Sequence, residues 1–233
     1  MKYLFFSLLL LTISCSPIVT LHPLSDNKND FIFKRELIGE WKSTSDKSSS
    51  FFVDTVSSDY GPVYHILLND GTKLNLGSKN FNNKLWFFAR LIKLNTDYYL
   101  DMWFDINHLN KDSINQVELN HESIESDPLL YPGHQIVQIQ ILDPSHMTYA
   151  LIDSERLVNL IKSKKINLSY TSVKSTSSSN LETFLIYNES KQLLNIFKQA
   201  NKLGLFFNDK ELIHKVSDVG ILQLPEREPI IKK

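Results

Sequence analysis

The stretch Lys84-Leu-Trp-Phe-Phe-Ala-Arg-Leu-Ile-Lys-Leu94, broken by Asn95-Thr-Asp97 and followed by Tyr98-Tyr-Leu-Asp-Met-Trp-Phe-Asp105, leaves this chain few choices. Two runs rich in aromatic and aliphatic residues with a short polar break predict a β-hairpin. From Leu85 to Leu91 both faces of such a strand are apolar, so each face needs cover. A filled barrel interior or a packed helix supplies it. This hairpin is expected to be the core of the fold.

The flanking runs extend the pattern. Phe51 to Val56 and Val63 to Leu68 are β-rich, and Asn69-Asp-Gly71 is expected to turn the chain back over Thr72 to Leu76, because Asp-Gly suits a type I′ turn. His134 to Leu142 sets Ile136, Gln138 and Gln140 against Val137, Ile139 and Ile141, which predicts a strand with one wet face. Asp143-Pro-Ser145 turns it into Met147 to Ile152. Asp153 and Ser154 then cap a short helix expected near 154–163, with Leu157, Leu160 and Ile161 on one stripe. After a last strand at Asn167 to Ser172, a Ser-rich linker leads to helices expected over Leu181 to Asn188 and over Gln192 to Lys202, the latter closed by Gly204. The fold class expected is mainly β with C-terminal helices: an antiparallel barrel or strongly curved sheet plus two or three helices.

The first fifteen residues predict where the chain goes. Lys2 supplies a positive start, and Tyr3 to Ile13 is apolar except for Ser7 and Thr12. Ser14 and the only cysteine, Cys15, follow. This reads as a secretory signal, too short for a membrane-spanning helix of about 20 residues. Leu11-Thr-Ile-Ser-Cys15 resembles the lipobox of bacterial lipoproteins, although Thr12 stands where that family usually has an aliphatic residue. The resemblance implies that Cys15 is lipidated and becomes the new N-terminus, tethering the domain to a membrane. No acid-rich tract follows Cys15, so the expected location is the outer membrane, facing the periplasm. With that thiol consumed no disulfide is available, and the fold must rest on a hydrophobic core.

The division expected is a leader at 1–14, a flexible tether at 15–30, and an antiparallel β-domain at 31–172 with a long polar loop at 106–133. A Ser-rich linker and C-terminal helical appendage would occupy 173–233. Residues 31–38 are expected to make one helical turn before a strand that opens Gly39-Glu-Trp41. That G-x-W, followed by antiparallel strands, resembles the start of the first barrel strand in lipocalins and related calycins. The resemblance implies a barrel whose closed end is plugged by Trp41 and whose interior holds a small apolar ligand. The order of Gly39 to Trp41, Leu100-Asp101, Asp153 to Ile161 and Ser179 to Phe184 is also similar to a group of functionally uncharacterised bacterial lipoproteins, which implies no activity.

Composition excludes some functions. With 25 basic and 26 acidic residues the chain has a net charge of −1, and loss of the leader removes only Lys2. Nucleic-acid binding needs a basic stripe to displace counterions, so no nucleic-acid partner is expected. The seven histidines lack cluster spacing, no G-x-S-x-G, P-loop or G-x-G-x-x-G occurs, and neither enzyme activity, metal nor cofactor is expected. Asp101, Asp105 and His108 form the one acid–histidine grouping on the hairpin, with pairing of the carboxylates to Arg90 as its plainer explanation. The leading expectation is a lipid-anchored binding module for an apolar or amphiphilic molecule, with Trp41, Trp86, Phe88 and Trp103 as lining candidates beside Phe52 and Phe104. The alternative is a structural envelope lipoprotein with a filled barrel and a protein partner.

Overall fold

The computed structural model describes residues 18–45, 50–58, 61–76, 79–104, 133–174 and 182–218. The first strands in chain order are β1 (Ile18–Thr20), β2 (Phe31–Ile32), β3 (Gly39–Ser43), β4 (Ser50–Ser58) and β5 (Gly61–Leu76). Then come β6 (Lys79–Leu94), β7 (Asp97–Phe104), β8 (His134–Asp143) and β9 (His146–Ala150). Helix α1 (Ser154–Lys162) precedes β10 (Tyr170–Lys174) and β11 (Glu182–Ile186). Helices α2 (Ser190–Phe197) and α3 (Ala200–Leu203) lead to β12 (Glu211–Ser217). Strands β3 to β9 pair antiparallel in succession, and β12 lies between β9 and β3, closing an eight-stranded up-and-down barrel. Off β8 the sheet continues outward through β1, β11 and β10.

The β6–β7 hairpin is where it was expected. Leu94 pairs with Asp97 across Asn95, whose φ of 58° is one that Asn tolerates better than most residues. The apolar character of both its faces serves two cores. Phe87, Ala89 and Leu91 belong to an interior cluster with Trp41, Val53, Tyr64, Ile66, Val137, Ile139, Met147 and Ile213. On the opposite face Ile92, Leu94 and Tyr99 join Ile136 against Leu157 and Leu160 of α1, Leu193 and Phe197 of α2, and Ile18, Leu24 and Ile186. Each such side chain contributes roughly 1.5–3 kcal/mol by leaving water. Asp153 caps α1 as expected, accepting from Arg156 N at 2.9 Å, and α3 ends at Gly204.

Several expectations are corrected. The chain is already folded at Ile18: β1 runs parallel to β11, and Leu24 is fully buried, so 18–30 is no flexible tether. Three apolar residues in a row are too few to show a period. Of the helical turn expected at 31–38, only a 3₁₀ turn at Arg35–Leu37 is found, after β2. Asp70-Gly71 does not turn the chain: β5 continues to Leu76, and its register against β6 shifts between Asn69 and Lys73, the bulge that such residues equally permit. Residues 182–186 form β11 rather than a helix; the i, i+3, i+4 spacing there is a coincidence within a short β-branched and aromatic run.

The face of β8 expected to be wet is exposed only from Gln140 on. Gln138 is 4% exposed and donates through Nε2 to Asn201 Oδ1 of α3 at 3.0 Å. The C-terminal region is no helical appendage, because β12 completes the barrel. That strand escaped notice because Leu212 and Val216 are exposed and Ile213 alone is fully buried, which leaves no alternation to read. The leader, Cys15, most of the 106–133 loop, Asp105, His108 and residues 175–181 lie outside the described residues.

Candidate functional site

One end of the barrel is built from the segment that enters β3. Ile32 pairs with Leu91 of β6, and Lys34 N donates to Tyr64 Oη of β5 at 2.7 Å. The Lys34 ammonium sits 5.3 Å from the Tyr98 ring of β7. Leu37 joins the interior cluster and accepts through its carbonyl from Trp41 Nε1 at 2.8 Å. The segment therefore crosses from β6 to β3 over the barrel end, and Trp41, 1% exposed, fills the space beneath it. Lys215 of β12, opposite Trp41 in register, holds its ammonium 5.2 Å from the indole ring and pairs with Asp218 at 3.0 Å. Gly39 makes this seam possible. Its φ is +134°, and a Cβ there would lie 2.4 Å from Ser217 O. Burial pushes the Tyr64 hydroxyl up to about 12, its hydrogen bonds to Lys34 only partly opposing this.

Half-buried apolar residues surround the fully buried part of the interior. Phe51, Met102, Phe104, Tyr149 and Leu151 are half-buried and pack on the interior cluster, with Phe104 edge-on to Phe87 at 5.7 Å. Polar groups gather beside them: Glu211 Oε1 accepts from the hydroxyls of Ser43 and Ser45. Tyr149 stands opposite Glu211 in register, and burial together with that carboxylate raises its pKa. An apolar wall with a few convergent polar groups is the usual chemistry of a small-molecule site.

The outer wall carries a second arrangement. His65, Phe88, Trp103 and His134 are consecutive cross-strand partners on β5, β6, β7 and β8. Their ring centroids are 5.0, 5.8 and 5.6 Å apart. The Arg90 guanidinium lies between Trp103, at 5.1 Å, and Phe31, at 4.8 Å. Asp101 is fully buried beside them. Its Oδ1 accepts from His134 Nδ1 at 2.7 Å and its Oδ2 from Leu24 N at 2.9 Å. A carboxylate holding Nδ1 fixes the imidazole's orientation, which suits acid–base work where a substrate group faces Nε2. Here the same carboxylate also ties the chain before β2 to the barrel wall, and that tie accounts for its burial.

The lining candidates are thus divided. Trp41 and Phe104 belong to the interior. Phe88 and Trp103 lie on the outer wall, because Phe87 and Met102 take the inward positions beside them. Phe52 pairs between Glu40 and Leu67, and alternates with the interior residues Phe51 and Val53. Trp86 is placed by its backbone alone, opposite Leu67. Of the grouping Asp101, Asp105 and His108, the structure places Asp101, and its partner is His134. Arg90 is opposite Asp101 in register and stacks on aromatic rings. The histidine was missed because the strand carrying it follows the long loop, and nothing in the local sequence announces the β7–β8 pairing.

An open surface cavity of about 460 Å³ lies at α1, lined by Arg156, Asn159, Leu160, Lys162, Ser163 and Lys165. Its lysines sit at the C-terminal turn, where helix carbonyls favour positive charge, and that accounts for them. Among the described residues no group of three His, Cys, Asp or Glu is arranged to hold a metal ion, and no helix is long and apolar enough to cross a membrane. The chain matches no family model, no curated protein and no solved structure.

Proposed function

We propose that this protein is a lipid-anchored envelope lipoprotein whose lipocalin-like barrel holds an apolar or amphiphilic small molecule. The observation that carries the reading is the barrel itself: eight antiparallel strands around an apolar interior, in which fully buried residues such as Trp41 and Phe87 are flanked by half-buried ones such as their cross-strand partners Phe51 and Phe104. Glu211, with the hydroxyls of Ser43, Ser45 and Tyr149 nearby, supplies the polar contact that an amphiphile's head requires. The anchor is Cys15, in the lipobox-like stretch Leu11 to Cys15, and the location is the outer membrane facing the periplasm. In this reading the protein binds and does not catalyse, with no cofactor and no nucleic-acid partner.

A second reading keeps the anchor and replaces the ligand by a protein partner of the envelope. Its support is the packing of the interior, where Trp41, Tyr64, Ile66, Phe87 and Leu91 are each at most 4% exposed and pack as one cluster.

Native mass spectrometry of the chain from Ser16, secreted to the periplasm without its lipid, separates the two. A discrete extra mass lost on gentle activation supports the carrier. A clean apo mass with no uptake from a mixture of fatty acids and phospholipids refutes it, leaving the partner reading.

A further inference from the structure

We infer that the sheet extension formed by β1, β11 and β10 is the face this protein lays against a bilayer, with no spacer between anchor and fold. The inference rests on the anchor at Cys15 proposed above and goes beyond it, because a lipid anchor by itself leaves open how far the domain stands from the membrane.

The distance follows from where folded structure starts. Ile18 is 8% exposed and pairs with Phe184 of β11; Val19 is 1% exposed, and Thr20 pairs with His134 of β8. Gly133 lets β1 sit this close, since a Cβ on it would lie 2.4 Å from Val19 Cγ1. Leu24 is then locked by Asp101. Ile18 is three residues from Cys15, and three residues reach at most about 10–11 Å. A row of the sheet runs from Ile18 through Phe184 to Ser172, two strand spacings or about 10 Å away. The far wall, β3 and β4, lies across the barrel from β8.

The chemistry of the extension agrees with a lipid surface. Leu21 and Tyr187, 45% and 48% exposed, are neighbours there, Leu21 N donating to Ile186 O at 2.8 Å. An exposed leucine beside an exposed tyrosine suits the headgroup boundary, where amphipathic rings collect. Lys174 and Glu182 oppose each other in register, so that pair adds no net charge and the acyl chains dominate attachment.

The test uses the full lipidated chain, purified from membranes and reconstituted into vesicles of phosphatidylethanolamine and phosphatidylglycerol that carry an acceptor dye on the headgroup. With the Cys15 thiol acylated, Ser172→Cys and Lys42→Cys each offer one free thiol for a donor dye. Transfer several-fold stronger from position 172 than from position 42 is expected, falling when a long Gly-Ser insertion is placed between Pro17 and Ile18. Equal transfer from both positions, weak transfer from both, or indifference to the insertion overturns the inference while leaving the anchor standing. A chain without acyl mass at Cys15 that does not float with the vesicles overturns the anchor, and the inference with it.

Discussion

Replacing Asp101 by leucine tests the tie between the N-terminal segment and the barrel. Leucine keeps the heavy-atom count and branching of the aspartate side chain, though its methyls are bulkier than the oxygens, and two interactions are lost. Leu24 N–H, in a residue with no exposed surface, is left without its acceptor, which costs about 1–3 kcal/mol. The charge-assisted bond to His134 contributes about 1.5–3 kcal/mol. Together the expected loss is about 2.5–6 kcal/mol, less than most domains have to lose, so the protein is expected still to fold. For a chain of this length each kcal/mol lowers Tm by about 2–4 °C, so a fall of about 5–24 °C is expected. Asp101→Asn keeps an acceptor for Leu24 and is expected to lose less than half as much.

Urea titration gives the free energies, and amide exchange at Val19 and Leu24 shows where they act. In Asp101→Leu these amides are expected to exchange faster than those of the barrel strands, because the segment frays before the barrel opens. A double-mutant cycle with His134→Gln should show coupling between the two sites. A loss under about 0.5 kcal/mol, or unchanged exchange at Leu24 with a fully additive cycle, would refute the reasoning: the buried carboxylate would then fasten nothing.

Other outcomes follow from the same contacts. Leu24→Ala is expected to cost about 2–5 kcal/mol in urea titration, as for any fully buried leucine, whereas a residue in a flexible tether would cost nothing. Gly39→Ala is expected to cost about 3 kcal/mol or more, since it adds positive-φ strain to the collision with Ser217 O; circular dichroism melts that match wild type would exclude the close β3–β12 seam. Tyr64→Phe loses two hydrogen bonds to Lys34 and costs about 1–2 kcal/mol at neutral pH. In wild type the Tyr64 pKa is raised from 10 to about 12, so its contribution is whole below pH 10 and falls by roughly 2–3 kcal/mol as pH rises through 12. The gap between Tyr64→Phe and wild type should therefore narrow or reverse near pH 12. A gap that widens there contradicts the burial of the hydroxyl.

What could be read from the sequence was what neighbours along the chain decide. The β6–β7 hairpin, the turn at Asp143 to Ser145 and the Asp153 cap each depend on a few adjacent residues, and each is found. The Gly39-Glu-Trp41 start was legible in part for a related reason: Trp41 donates to Leu37 four residues back, whereas the contact that excludes a side chain at Gly39 comes from β12. A barrel was expected and is found, but the strand that closes it was not legible. Glu211 to Ser217 pairs with β3, some 170 residues earlier, and a strand that fully buries Ile213 alone carries too weak a period to declare itself. The same applies to Asp101 and His134, whose pairing spans a loop that local patterning cannot bridge. Inward and outward positions on β6 and β7 were ambiguous because both faces are apolar, and a one-residue change of phase exchanges Phe87 for Phe88.

That ambiguity has a structural consequence. A barrel wall apolar on its outer face demands a second core, and helices α1 and α2 alone do not finish it: Ile18, Leu24 and Ile186 complete the cover. The residues nearest the lipobox-like stretch are therefore recruited into the fold by the outer face of the hairpin. An unanchored domain would gain stability from this arrangement and nothing more. In an anchored one, each residue drawn into the second core is taken from the leash, so the apolar outer face of β6 and β7 also sets how near the membrane the barrel is held.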